Sequence, residues 1–299
     1  MNRADVYFMS PPGPAWALRG RANFRSRSAP AVDARAALGE WLALADAIEA
    51  RGGRVVCLLP PPETTLTGLP YAAECGQVVE HEGRGLFLLP SMGVWHRRGE
   101  RELWRRVALD VGLEPVDIEG TWEAQGDVAW FRGRPLLFFG GRTDERGVGS
   151  ARAYFPDALV LRVREPAFHG NMALLPLEAA DRVLACRAVI DAESWRELEQ
   201  AFGAEALVEV SEDEIRAYAT NGLPVGGDWL VPHLLPARVE ALAASWGVRV
   251  VRLPMVELCE KAGGASRCLV SHARLPAGLW RVPEAHDYQR QRPGLLARA

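Results

Sequence analysis

One pattern recurs about five times along this chain, every 40 to 60 residues or so, a period characteristic of repeat architectures. Each copy runs apolar strand, turn, often a second strand, amphipathic helix, closing strand. In the first copy Val6–Met9 reads as a strand. Asp33 caps a helix with Leu38, Trp41, Leu42, Ala45 and Ile48 on one face, Gly52-Gly53 stops it, and Arg54–Leu59 closes the unit. The second copy has Gln77-Val78-Val79, a turn at Glu82–Gly85, Leu86–Leu89, and a helix carrying Leu103, Val107 and Val111 that Gly112 ends. The third has Val128–Phe131, the turn Arg132-Gly133-Arg134, Leu136–Phe139, a weaker helix between Asp144 and Tyr154, and Ala158–Leu161. The fourth has Met172–Leu175, Val183–Cys186, a helix with Trp195, Leu198 and Phe202, and Ala206–Val208. The fifth has Asn221–Val225 and a helix opened by Pro236, with Leu235, Val239, Leu242 and Trp246 on one side. Gly247 ends that helix before Val248–Val251. Five mixed-strand units with one helix each predict an α/β protein of five blades around an axis. An ordinary mixed α/β sheet is the alternative that periodicity leaves open.

The 299 residues are 48% hydrophobic and 24% charged, ordinary for a globular protein. The net charge of -3 and the lack of a basic block argue against nucleic-acid binding through a charged surface. No window approaches the roughly 18 apolar residues of a membrane helix, and the start lacks the pattern of a signal peptide. The cysteines Cys57, Cys75, Cys186, Cys259 and Cys268 are odd in number and scattered, with no CxxC pair. That favours a reduced, cytoplasmic protein with neither a disulfide framework nor a zinc cluster.

Three stretches carry chemistry. Cys268 sits on the loop Gly263-Gly264-Ala265-Ser266-Arg267-Cys268, where the glycine pair allows a tight turn and close approach to a ligand. A free cysteine is ordinarily a small buried hydrophobe. Cys57 and Cys186, inside apolar strands, read that way; Cys75 is placed to line a site, and Cys259 has no clear role. His169, in Phe168-His169-Gly170-Asn171, stands at a strand entrance. Glu123 and Asp127 flank Gln125-Gly126 before another strand, and such a pair suits the planar fork of a guanidinium. A thiol attacks well only as thiolate, so it needs partners of this kind.

In order and spacing, Glu123-x-x-Gly126-Asp127, Gly141-Arg142-Thr143, His169 and the Gly263-Gly264 to Cys268 loop resemble the guanidino-group modifying, or pentein, superfamily. Its members include arginine deiminases, dimethylarginine dimethylaminohydrolases, arginine dihydrolases and amidinotransferases. The resemblance extends over nearly the whole chain, from Met9-Ser10-Pro11-Pro12 to Cys268. It implies a five-bladed α/β propeller of repeated ββαβ-type units, forming one catalytic domain over residues 1–299. It makes Cys268 the nucleophile, His169 the general acid and base, and Glu123 the acid that holds the guanidinium and helps proton transfer. It places Asn23, Tyr71, Glu74, Arg97, Asp127, Arg142 and Asn171 on the substrate, with Arg97 pairing with the α-carboxylate.

Two departures stand out. Asn171 occupies a position where many relatives carry an acid, and Glu74 replaces the asparagine of the ornithine-forming dihydrolases. The neutral Asn171 leaves Glu74 to supply the missing charge. The implied activity is hydrolysis of the guanidino C–N bond of arginine or a derivative through a covalent amidino-cysteine. Transfer of the amidino group to an acceptor amine is the alternative, and a binding protein without catalysis is a third. A small guanidino substrate is the expected partner, with no metal or other cofactor, no nucleic acid and no membrane. A homodimer is among the assemblies the resemblance allows.

Overall fold

The repeats become five separate three-stranded sheets. The computed structural model describes residues 3–19, 21 and 23–299; Met1, Asn2, Gly20 and Ala22 lie outside the described residues. Blade two consists of Gln77–His81, Arg84–Leu88 and Glu114–Val116, with helix Glu100–Asp110 as its crossover. Blade three has Val128–Phe131, Arg134–Phe139 and Leu159–Arg162 with helix Glu145–Arg152. Blade four has Leu174–Leu177, Arg182–Ala185 and Leu207–Glu209 with helix Ala192–Phe202. Blade five has Leu223–Val225, Asp228–Pro232 and Arg249–Leu253 with helix Ala237–Ser245. In every blade the middle strand is antiparallel to the first and parallel to the third. A tight hairpin must reverse direction and a helical crossover must restore it, so each ββαβ unit closes its own small sheet.

Blade one is split. Arg3–Met9 and Arg54–Cys57 flank helix Ala34–Glu49, and the first strand, Ser271–Pro276, comes from the far end of the chain. It pairs from Arg3↔Pro276 to Phe8↔Ser271. This pairing draws the chain that follows blade five into blade one, and the repeat pattern did not contain it. The closing strand Glu114–Val116 was likewise absent from the pattern. Met172 and Ala173, expected in a strand, belong to a helical turn, Gly170–Ala173, and the strand starts at Leu174. The turn is fixed at its entrance, where the Gly170 N–H donates to Asp127 at 2.7 Å.

Three of the crossover helices begin where an aspartate side chain caps them. Asp33 accepts from the N–H groups of Arg35 and Ala36, Asp144 from Gly147, and Asp191 from Glu193 and Ser194. The faces Leu38–Trp41–Leu42–Ala45–Ile48 and Trp195–Leu198–Phe202 are buried, as their spacing requires. The apolar core lies between blades and under these helices. Among the described residues no helix is long and apolar enough to cross a membrane.

Candidate active site

Each blade is entered through a tight turn just before its first strand. These turns are Ala72–Cys75, Ala124–Gly126, Gly170–Ala173, the turn closed by Asn221 N–H on Tyr218 C=O, and the turn closed by Cys268 N–H on Ala265 C=O. The turns are hydrogen-bonded to one another in a ring. From blade one to two, the Ala73 N–H donates to the Cys268 carbonyl at 3.0 Å. From two to three, Gln125 Nε2 donates to Gln77 Oε1 at 2.9 Å. From three to four, Gly170 donates to Asp127. From four to five, Asn221 Nδ2 donates to Asn171 Oδ1 at 3.0 Å. The ring closes where the Arg267 N–H donates to the Asn221 carbonyl at 3.1 Å. Buried bonds of this kind set side-chain positions across five units that share little sequence contact.

Above the ring lies a cavity of about 70 Å³ whose wall includes Cys268, His169, Glu74, Tyr71, Arg97 and Asn23. Gly264 makes the approach possible: a Cβ there would fall 2.3 Å from the Tyr71 ring. Tyr71 in turn donates to the Leu258 carbonyl at 3.0 Å, and Asn23 Nδ2 to the Ala262 carbonyl at 2.9 Å, so both brace the cysteine loop. His169 Nε2 meets Glu123 Oε2 at 2.8 Å. With Glu123 ionised, Nε2 carries the proton and Nδ1 is left to the cavity. Nδ1 is buried, has no hydrogen-bond partner, and faces Glu74 Oε1 at 3.5 Å. A buried nitrogen without a partner calls for an explanation, and a proton-transfer role at Cys268 supplies one.

The electrostatics follow from burial and proximity. Burial is the largest influence on His169 and disfavours its charged form, yet Asp127, Glu123 and Glu74 together hold its pKa above the usual value. Burial also works against ionising Glu123, but the His169 hydrogen bond, with the His169 and Arg142 charges, brings it down to about 2. Burial pushes Asp127 up to about 6 against the pull of His169, the Thr143 hydroxyl and the Gly170 N–H. The Cys268 thiol is pushed up to about 12, first by burial and then by the Glu74 charge; Asn221 and Arg267 act against both. At neutral pH these influences favour the neutral thiol over the thiolate.

Arg97 is bound on almost every donor. Nε reaches Glu100 Oε1 at 2.9 Å, Nη2 reaches Glu100 Oε2 at 2.7 Å and the Gly68 carbonyl at 3.0 Å, and Nη1 reaches Glu74 Oε2 at 2.5 Å. Both carboxylates are buried. Arg142 lies at the cavity wall with its guanidinium 4.5 Å from the Phe168 ring centroid and 3.6 Å from Glu123.

Of the residues singled out in the sequence, Cys268, His169, Asn23, Tyr71, Glu74, Arg97 and Arg142 line the cavity. Glu123, Asp127 and Asn171 do not. Glu123 lies behind the imidazole. Both Asp127 oxygens are taken, by Gly170 and by Thr143 Oγ1 at 2.7 Å, so this carboxylate is a brace in the ring and not a wall of the cavity. Asn171 sits under the sulfur, with Nδ2 4.0 Å from Sγ. Cys75 packs in the core between blades one and two. Sequence reading missed Arg19, His96 and Phe168 in the wall and Glu100 behind it. Only Glu100 left a signal, its three-residue spacing from Arg97 at a helix start. Among the described residues no group of three or more His, Cys, Asp or Glu side chains is arranged to hold a metal ion.

No protein-family model matches the chain, and no curated protein matches it in sequence. Solved structures do match. The N-terminal domain of ArgZ, an arginine dihydrolase from the ornithine–ammonia cycle in cyanobacteria, aligns with a TM-score of 0.81 at 21% identity, over 90% of this chain and 97% of that one. The same domain is known as a variant covalently bonded to a reaction intermediate. A dimethylarginine dimethylaminohydrolase variant, captured as an adduct with S-methyl-L-thiocitrulline, aligns with a TM-score of 0.67 at 18% identity, over 90% of this chain and 99% of that one. The fold is the pentein fold. AgrE, in a ternary complex with ornithine and NAD+, contains the same pentein fold; it aligns with a TM-score of 0.81 at 18% identity over 93% of this chain, which spans only 40% of AgrE. The five-bladed reading of the repeats is thus correct, and the ordinary mixed sheet is excluded.

Proposed function

We propose that this protein is a cysteine-dependent hydrolase acting on the guanidino group of arginine or an arginine derivative. The observation that carries this reading is the meeting, in one cavity, of the Cys268 thiol, the unbonded His169 Nδ1 and the Glu74 carboxylate. Glu123 holds the imidazole from its other side. A nucleophile, a base and an orienting acid in that relation are the parts of a covalent mechanism. The fold neighbours that carry arginine dihydrolase and dimethylarginine dimethylaminohydrolase names support it.

The chemistry then runs as follows. A guanidinium enters against Glu74, and its positive charge offsets the charge that raises the thiol pKa. The thiol proton passes to His169 Nδ1 as sulfur attacks the guanidino carbon. His169 returns that proton to the departing amine, and the C–N bond breaks, leaving an amidino group on sulfur. Water, deprotonated by His169, attacks the same carbon, and the C–S bond breaks to release the thiol and a urea-type product. Arg97 serves this site as a positioning residue: it fixes Glu74 toward His169, and because Glu100 also neutralises Arg97, a net negative charge is left for the substrate.

Mass spectrometry of intact protein, quenched briefly after mixing with arginine or methylated arginines, tests the reading. One adduct on the wild type and none on Cys268→Ala is expected: the substrate less ammonia where ammonia is the leaving group, or a bare amidino group where the substituted amine is. Unaltered turnover in Cys268→Ala overturns it. A new guanidino compound formed only when glycine or another amine is added replaces hydrolysis with amidino transfer.

A further inference from the structure

Below the ring, the first strands of the five blades enclose a second cavity, an axial shaft of about 970 Å³. Its wall draws on every blade, including His272, Gln77, Ala129, Leu175 and Leu223. It reaches solvent beside the Arg3–Glu80 ion pair, whose side chains are 44% and 38% exposed. Arg267 belongs to this shaft, whereas Cys268, its neighbour in sequence, belongs to the substrate cavity. One turn thus presents successive side chains to two compartments.

Among the described residues Arg267 forms no ion pair. Nη1 donates to Gln125 Oε1 at 2.9 Å and to the Val270 carbonyl at 3.1 Å, and Nη2 reaches the Gln125 carbonyl at 3.5 Å. All three acceptors are neutral. Nε makes no hydrogen bond, and no carboxylate lies within ion-pair distance among the described residues. The edge formed by Nε and Nη2 is the one on which a guanidinium receives an oxyanion with two parallel bonds. The neighbouring Gln125 amide offers nothing more, since Nε2 is spent on Gln77 and the His272 carbonyl. Leaving a charge of this kind partly desolvated and unpaired is costly, and a ligand of opposite sign removes that cost.

We propose that the inner end of the axial shaft binds a small oxyanion, a carboxylate or inorganic phosphate, on the Nε/Nη2 edge of Arg267, and that its binding slows the Cys268 thiol. The link is electrostatic. Arg267 favours the thiolate from behind, and an anion on the guanidinium cancels that field inside a poorly screened interior. The depressed pKa of Arg267, held down to about 10 mainly by burial, accords with an unmet charge.

The test needs no turnover, so its failure is separable from failure of the proposed reaction. Iodoacetamide labelling of Cys268, followed on its peptide by mass spectrometry, and the melting temperature are both measured against sodium acetate and against sodium phosphate. Sodium chloride at equal ionic strength is the reference. Wild type should show slower labelling that saturates with the anion, along with a rise in melting temperature; whichever salt acts at lower concentration identifies the carboxylate or the phosphate as the better ligand. Arg267→Met should label more slowly without anion and respond to neither salt. Arg267→Lys keeps the charge without the fork and should need severalfold more anion, which keeps the test decisive if the methionine variant does not fold. A wild type with no saturable response overturns the proposal. So does an equal response in the variants, which would move the anion to the cations of the substrate cavity.

Discussion

Two arginines, Arg97 buried and Arg267 half-buried, flank the same thiol and are dressed in opposite ways. Arg97, in the substrate cavity, is gripped by the carboxylates of Glu74 and Glu100. Burial works against its charge, yet Glu100 and Glu74 hold its pKa above the ordinary value. Arg267, on the shaft side, has neutral acceptors only, and burial brings it down to about 10. A guanidinium whose charge is cancelled by neighbours acts through geometry, because little field escapes. One whose charge is not cancelled acts through its field. The pair therefore separates positioning from electrostatics within one site.

The largest effects should come from Glu74, which touches both sides of the comparison. Glu74→Gln removes the carboxylate that faces the guanidinium and frees Arg97, so turnover should fall by about 100-fold or more. The same change removes a charge that raises the Cys268 pKa. Iodoacetamide labelling near neutral pH should therefore become faster while catalysis collapses, opposite in sign to the labelling expected for Arg267→Met. Labelling that slows in both variants would break the electrostatic half of the comparison.

Arg97 comes next. A positioning role predicts that Arg97→Lys lowers kcat by roughly 10- to 100-fold, to the same degree for arginine and for its decarboxylated analogue agmatine. Glu100→Gln should act in the same direction and more weakly. A receptor for the substrate carboxylate predicts something else: a raised KM for arginine alone, with agmatine untouched. Steady-state kinetics on the two substrates decides between them, and the second pattern would return Arg97 to the role its family resemblance suggests.

Asp127→Asn probes the ring beneath His169. Asp127 is the strongest influence raising the His169 pKa. A raised histidine contributes stability that is complete below its unfolded pKa and is lost as pH rises through the folded pKa. Neutralising Asp127 should shift both that loss and the acid limb of kcat, where the imidazole becomes a neutral base, toward lower pH. Parallel pH profiles of urea unfolding and of turnover check this, and two unmoved profiles would detach Asp127 from the imidazole.

Much of this was legible in the sequence, and the exceptions share a cause. Helix faces such as Trp195–Leu198–Phe202 follow from local spacing, and Asp33 announces its helix through a local cap. Cys268 and His169 stand out because their chemistry is rare and their neighbours are glycines. Ser271–Pro276 was not legible because its partner, Arg3–Met9, lies at the other end of the chain. Asp127 and Asn171 read as substrate ligands because their bonds to Gly170 and Asn221 cross between blades, where residue type alone says nothing about direction. Arg267 drew no notice beside Cys268, since one residue of a turn decides which compartment a side chain enters.

That sorting is itself open to test, with the smallest effect expected. The Ser266 hydroxyl donates to the Leu230 carbonyl at 2.7 Å inside the core. Ser266→Ala should cost about 1 kcal/mol in urea unfolding, the usual net worth of one such bond. The turn keeps its backbone ties, Arg267 N–H to the Asn221 carbonyl and Ala73 N–H to the Cys268 carbonyl. Those ties, not the serine, determine that Arg267 faces the shaft and Cys268 the cavity. The labelling rate of Cys268 and its response to anions should therefore stay at wild-type values in Ser266→Ala. A changed anion response with little change in stability would mean that the hydroxyl helps set the turn, and the contrast between the two arginines would then rest on a side chain as well as on the backbone ring.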